Sequence, residues 1–80
     1  MARTLRIEVT FLGTLQQVAG RATTWLEVPP PGTVERVLAL LRERMPQFAG
    51  VPMTCLVNGA PVTPQRQLTQ GDGLFLLPPG

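Results

Sequence analysis

The chain has 80 residues with a formal net charge of +2, and 44% of its residues are hydrophobic. This length predicts one domain spanning residues 1–80, because chains of about 55–65 residues already fold alone. Histidine is absent and the five acidic residues are dispersed, so the sequence predicts no metal site, no cofactor and no catalytic site of its own.

The first part of the chain predicts two strands joined through a short helical turn. Apolar and polar residues alternate over Leu5–Phe11, as in a strand with one buried face. Residues Leu15–Ala19 can form a helical turn that ends at Gly20. In a second strand, Thr23–Val28, the even-numbered residues face inward and Trp25 lies on the opposite face.

A single amphipathic helix follows the run of prolines at 29–31. Thr33 is a good N-cap, and Pro46 ends the helix. We expect Arg42 and Glu43 to lie on a solvated face. The predicted buried residues recur at helical spacing: Val34, Val37, Leu38, Leu41 and Met45.

The last part of the chain predicts a hairpin and a final strand. Residues 53–57 form a strand, and Asn58-Gly59 is a strong hairpin turn signal. Residues 60–62 return along an edge, because Pro61 cannot donate a hydrogen bond inside a sheet. A turn at 71–73 then leads into a final strand at 74–77.

This order of elements predicts an α+β protein in which one main helix covers a mixed sheet of four to five strands. The first and last strands are the most apolar, so we expect them to lie side by side at the centre of the sheet. The crossover through the helix makes them parallel. This arrangement is the β-grasp, or ubiquitin-like, fold.

Several classes of function are disfavoured. The seven arginines are scattered without interleaved aromatic residues, so we expect no nucleic-acid binding. Cys55 is the only cysteine and is predicted to be a small core residue. A single cysteine cannot form an internal disulfide, which fits a protein in a reducing compartment. No apolar run approaches the roughly 20 residues of a membrane span, and no secretory signal is visible. The expected location is the cytoplasm.

Two surface features suggest contact with a partner. Trp25, opposite the helix, either lies across neighbouring side chains of the sheet or anchors a protein partner. Together with the outward face of the last strand it would form an apolar patch. The candidate partner-binding residues are Trp25, Phe75, Leu77, Pro78 and Pro79.

The end of the chain is the second candidate site. The last strand passes into Pro78-Pro79-Gly80, and a terminal glycine has no Cβ, so that a narrow cleft can admit its carboxylate. The terminal carboxylate is thus a candidate working group. The alternative is that these residues only stop the strand and protect an edge.

Several short sequence segments are distributed along the whole chain in a specific order. They are Phe11, the Leu-x-x-x-Ala-Gly segment at 15–20, Pro-Gly-Thr-Val at 31–34, Val-Asn-Gly at 57–59, Leu-x-x-Gly-Asp-x-Leu at 68–74, and Leu-Leu-Pro-Pro at 76–79. In this order and spacing the sequence resembles the MoaD/ThiS family of ubiquitin-like sulfur carriers, and MoaD more than ThiS.

The resemblance implies a mechanism. An E1-like, MoeB-like enzyme would adenylate Gly80 with ATP, and a sulfur donor would convert the adenylate to a thiocarboxylate. The carrier would then deliver sulfur to a pterin precursor within molybdopterin synthase, whose large subunit is MoaE-like. The carrier supplies reach and recognition, while its partners supply catalysis.

The tail departs from the family pattern. Family members place a few residues after the diproline and end in Gly-Gly, whereas Gly80 follows Pro79 directly. Three fewer residues shorten the reach by roughly 10 Å. The chain is therefore a truncated form, the carrier for a partner adapted to a short tail, or a β-grasp adaptor that binds a larger enzyme subunit through Trp25 and residues 75–79.

Overall fold

The structure is a computed structural model and describes residues 4–79. Within this range the chain forms five strands, two helices and one 3₁₀ turn. In chain order they are β1 (Leu5–Phe11), α1 (Leu15–Ala19), β2 (Thr23–Val28), α2 (Val34–Arg44), the 3₁₀ turn (Pro46–Phe48), β3 (Thr54–Val57), β4 (Ala60–Pro61) and β5 (Gly73–Leu77).

The five strands form one mixed sheet in the order β2-β1-β5-β3-β4. Strands β1 and β5 lie at its centre and are parallel, with Val9 opposite Leu74. The other neighbouring strands pair antiparallel. The predicted β-grasp architecture is confirmed, including the central position of the first and last strands.

Most predicted boundaries agree with the structure to within one residue. The strand predicted from residue 53 begins at Thr54, and the strand predicted from residue 74 begins at Gly73. The Asn58-Gly59 turn is also confirmed, since both residues have positive φ angles, 54° and 79°. This is the backbone geometry of a tight two-residue hairpin.

The N-terminus of α2 is closed by its cap and by the loop that precedes β5. The Thr33 hydroxyl accepts a hydrogen bond from the Arg36 amide at 3.3 Å, as the N-cap prediction requires. The Val34 and Glu35 amides donate to backbone carbonyls of residues 66 and 64 at 3.0 and 2.9 Å. Both backbone amides therefore have hydrogen-bond partners, and the N-terminus of α2 does not form an anion-binding site.

The core lies between α2 and the inner face of the sheet. Its largest side chains include Phe11, Phe48, Ile7 and Leu41. Leu38, which the helical spacing assigned to the core, is only half-buried against it. The stripe of fully buried residues on α2 is thus narrower than the helical spacing predicted, and consists of Val34, Val37 and Leu41.

The prediction that Arg42 lies on a solvated face is wrong. Its guanidinium donates to the Phe48 carbonyl at 3.4 Å and to the Val51 carbonyl at 3.2 Å. The chain after α2 folds back through the 3₁₀ turn and brings these carbonyls to the helix. Arg42 therefore holds the segment between α2 and β3 in place.

Candidate functional site

The sheet face opposite α2, here called the outer face, carries the two most exposed large apolar side chains among residues 4–79. Trp25 is 49% exposed and Phe75 is 40% exposed. Both were predicted on this face from strand alternation alone. Exposed apolar side chains of this size mark surfaces for protein association, so the outer face is the candidate surface for contact with a partner.

Trp25 and Phe75 do not form the single apolar patch that the sequence predicted. Trp25 lies opposite Glu8, whereas Phe75 lies opposite Thr10 on the other side of β1. Their Cα atoms are therefore about 12 Å apart, given about 4.8 Å between strands and 3.3 Å per residue. The polar residues of β1 divide the outer face into two parts.

Trp25 is packed against its own sheet. The Arg6 guanidinium carbon lies 4.9 Å from the centroid of the indole ring, a distance typical of a cation–π contact. This agrees with the first of the two interpretations of Trp25, in which it lies across neighbouring side chains. Half of the side chain nevertheless stays accessible.

Phe75 belongs to a second, more apolar area that the sequence analysis did not delimit. In the sheet register Phe75 lies beside Leu56, and Leu56 lies beside Pro61. Leu77 follows two residues along β5 on the same face. We call these four residues the apolar patch. The Asn58-Gly59 turn determines which residues of β3 and β4 lie opposite each other. This signal in the sequence was sufficient to predict that Leu56 and Pro61 are neighbours.

The tail begins beside this patch. The Leu12 amide donates to the Leu76 carbonyl at 2.8 Å, so the pairing of β1 with β5 continues to the last residues of β5. Pro78 is half-buried and Pro79 is exposed. The Pro78 ring lies next to Gly13, because a Cβ atom at Gly13 would be 3.4 Å from Pro78 Cδ. Gly80, the candidate site of modification, lies outside the described residues.

Chemically reactive side chains are scarce in the part of the chain that the structure describes. Residues 4–79 contain no group of three His, Cys, Asp or Glu residues that could hold a metal ion. Cys55 is buried, and this burial raises the pKa of its thiol despite the opposing effect of Arg42. The thiol is therefore not activated as a nucleophile.

An apolar cavity of about 550 Å³ opens at the end of β1 that is remote from Pro78. Gln67, in its wall, has its side-chain amide bonded to the carbonyls of Gly32 and Leu68. The cavity presents no charged side chain. Separately, no helix among residues 4–79 is long and apolar enough to cross a bilayer.

Comparison with known sequences identifies a family. The model of the ThiS family matches residues 9–80, which is most of the chain and includes the tail. A comparison with curated proteins gives no match.

Solved structures with the same fold cover nearly the whole chain. Small archaeal modifier protein 1 of Haloferax volcanii is 26% identical, with a TM-score of 0.85, and the alignment covers 95% of this chain and 99% of that one. A candidate molybdopterin converting factor subunit 1 from Pyrococcus furiosus is 21% identical, with a TM-score of 0.88 and the same coverage.

A third structure contains two subunits. It is the complex of subunits 1 and 2 of molybdopterin-converting factor from Helicobacter pylori, where the matching chain is 22% identical, with a TM-score of 0.68 and coverage of 95% of this chain and 96% of that one. The resemblance seen in the sequence is thus confirmed. The chain belongs to the ThiS family, within the MoaD/ThiS group of ubiquitin-like sulfur-carrier proteins.

Proposed function

We propose that this protein is a cytoplasmic sulfur carrier that acts through the carboxylate of Gly80. The observation that carries the proposal is the family match, which extends through the Pro-Pro-Gly tail to residue 80. The carrier is a substrate and small subunit for other enzymes and is not itself a catalyst.

The chemistry requires a partner enzyme. A carboxylate is a poor electrophile, so its oxygen first attacks the α-phosphate of ATP to give an acyl-adenylate and pyrophosphate. A sulfur donor then displaces AMP and leaves a thiocarboxylate at Gly80. We assign this step to an E1-like, MoeB-like enzyme, as the resemblance to the family implies.

The proposed destination of the sulfur is molybdopterin. The H. pylori complex joins subunits 1 and 2 of molybdopterin-converting factor, and by analogy a MoaE-like large subunit would receive this carrier. Two residues of the apolar patch, Phe75 and Leu77, lie on β5, the strand that leads into the tail. A partner that covers them is positioned to take up Pro78, Pro79 and Gly80. Trp25 would add a second, separate contact.

An adaptor without sulfur transfer is the second candidate function. The observation that favours it is the exposure of Phe75 and Trp25 on the outer face, which offers a binding surface that does not involve the terminal carboxylate. An adaptor would bind the large subunit through the apolar patch and would not need the terminal carboxylate. Deleting Gly80 would then leave binding of the large subunit intact.

The test is adenylation of the purified chain by the E1-like enzyme of its host. We expect a mass increase of one AMP at Gly80 with ATP alone, and replacement of one carboxyl oxygen by sulfur when the sulfur donor is added. Deletion of Gly80 is the control and abolishes both changes. If the intact chain binds the E1-like enzyme but never acquires AMP, Gly80 is not the site of activation.

Intact mass of the protein isolated from its host completes the test. A sulfur-for-oxygen exchange at Gly80 supports a carrier with a short tail. Additional residues ending in Gly-Gly would move the proposed site from Gly80 to the last glycine. An unmodified chain ending at Gly80 that also resists adenylation supports the adaptor.

A further inference from the structure

The two edges of the sheet differ in how well they are protected against pairing with another chain. At one edge, β4 has only two residues, and one of them is Pro61. A short edge strand with a proline is a common protection against further pairing. At the other edge, β2 has six residues and no proline. Most of its residues are β-branched or aromatic, which favours pairing with a further strand.

The backbone of β2 presents alternate residues to the open edge. The Phe11 amide donates to the Ala22 carbonyl at 2.8 Å, and this pair continues the regular register of β1 and β2. Residues that bond to one neighbouring strand alternate with residues whose amides and carbonyls point away from it. The amides and carbonyls of Thr23, Trp25 and Glu27 therefore point away from β1. Among residues 4–79 these groups have no hydrogen-bond partner.

The side chains of β2 show that this edge is accessible. Thr23, Trp25 and Glu27 are exposed, whereas Leu26 and Val28 are buried on the inner face. A large aromatic side chain therefore lies at the middle of an edge whose backbone groups are free to pair. An extended segment that adds to such an edge gains main-chain hydrogen bonds together with side-chain contacts.

We propose that β2 pairs with β2 of a second copy of this chain, antiparallel about a two-fold axis beside Trp25. A two-fold pairing brings the same surface of both copies together. Centred on Trp25, it places Trp25 opposite Trp25 of the second copy and Thr23 opposite Glu27 of the second copy. All three outward-facing amides of each copy then gain an acceptor, and the two sheets become one continuous sheet.

The charges on β2 fit this register. Glu27 is the one charged residue of the strand, and the register centred on Trp25 places it opposite a neutral threonine. A register centred on Glu27 would place two carboxylates directly opposite each other, which is unfavourable, and would leave Thr23 unpaired. Arg21 is exposed two residues before Thr23. Each end of the proposed contact thus brings an arginine of one copy toward Glu27 of the other.

The two indole side chains add an apolar contact at the centre. Directly opposite residues of a hydrogen-bonded pair have Cα atoms about 5.5 Å apart, so the two rings are within reach of each other. The Arg6 guanidinium already lies over the indole within each copy. The pairing thus covers the exposed half of Trp25 with the same residue of the second copy.

The proposed dimer is independent of the carrier function. It uses β2 and leaves the apolar patch, on the far side of β1, open to a partner enzyme. A large subunit that contacts Trp25 would compete with the second copy. Because one pair of strands buries less surface than a standard interface of about 1,600 Å², we expect weak association that depends on protein concentration.

Analytical ultracentrifugation and amide hydrogen exchange by NMR test the pairing from micromolar to millimolar concentration. We expect the mean mass to rise toward that of two chains. Exchange of the three outward-facing amides of β2 should slow over the same range, while the intervening amides, which bond to β1, change little. A chain that stays monomeric at millimolar concentration would overturn the proposal.

Two substitutions at Thr23 test the register. Thr23→Glu places a second carboxylate opposite Glu27 of the other copy and should weaken association by about fivefold, whereas Thr23→Arg should strengthen it by about fivefold. Net charge alone predicts the reverse order, because the chain carries +2 and Thr23→Glu reduces this charge. Thr10→Glu and Thr10→Arg are the matched controls, since Thr10 lies opposite Thr23 but on β1, away from the edge.

The order of the four variants decides the outcome. Opposite effects of the two Thr23 substitutions, with little effect of the Thr10 substitutions, support the proposed register. Association that follows net charge alone at both positions would contradict it. A dimer that Phe75→Ala abolishes and the Thr23 substitutions leave unchanged would form through the apolar patch, and the pairing of β2 would be wrong.

Discussion

Phe11 and Phe48 stack with their ring centroids 5.3 Å apart and their planes at 14°. Phe11 ends the central strand β1, while Phe48 lies in the 3₁₀ turn after α2. The contact therefore joins the sheet to the connection between α2 and β3. Both rings are fully buried, and offset stacking adds to the gain from burial.

Arg42→Met should destabilise the protein by about 1–3 kcal/mol, because the Phe48 and Val51 carbonyls lose the guanidinium that binds them. Methionine keeps an apolar stem of similar length. Urea unfolding of Arg42→Met and of Arg44→Met, at an exposed position on the same helix, measures the difference. A similar effect of the two substitutions would mean that the Arg42 hydrogen bonds contribute nothing.

Leu41→Ala should cost about 2–5 kcal/mol, the range for truncation of a fully buried leucine. Leu38→Ala should cost less than about 2 kcal/mol, because Leu38 is only half-buried and leaves a smaller cavity. The two midpoints of chemical unfolding provide the comparison. Equal losses of stability would show that Leu38 belongs to the buried stripe of α2, as the sequence predicted.

Stability should fall at alkaline pH because of Cys55. Burial raises the pKa of its thiol in the folded state, so this contribution is complete below the unfolded pKa of about 8.5 and is lost as pH rises through the folded value. The chain has no tyrosine, and all seven of its Lys and Arg positions are arginine, so few other groups titrate there. Urea unfolding between pH 7 and 10 should show a decline that Cys55→Ala reduces. An equal decline in both proteins would contradict the assignment.

The two parts of the outer face should differ in their effect on binding. Phe75→Ala should weaken binding of the E1-like enzyme or the large subunit by about tenfold, as expected for a central apolar anchor. Trp25→Ala should weaken it by less than about threefold, because β1 separates Trp25 from the patch and Arg6 packs over it. Titration calorimetry with each partner measures both. A larger effect at Trp25 would place the docking centre on β1 and β2.

Local patterns were sufficient to predict most of the fold. Alternation along Leu5–Phe11, the Thr33 cap and the Asn58-Gly59 turn each act over a few residues, and each is confirmed. The contacts of Arg42 were not predictable, because they depend on where an irregular segment returns after α2. The placement of Gly13 beside Pro78 likewise joins residues 65 positions apart in the sequence.

The same distinction applies to the outer face. Alternation placed Trp25 and Phe75 on one side of the sheet, but it carries no information about the order of the strands. That order inserts β1 between them and replaces one predicted patch with two separate areas. The role of Gly80 stays a prediction that adenylation and mass measurement test.

The strand that carries the tail is also the middle strand of the sheet, with β1 on one side and β3 on the other. During synthesis this strand is made after all the others, so the sheet cannot close until translation has reached residue 77. A prematurely terminated chain would therefore lack its central strand as well as its tail. Recognition of the folded sheet by a partner would thus also verify that translation has passed through β5.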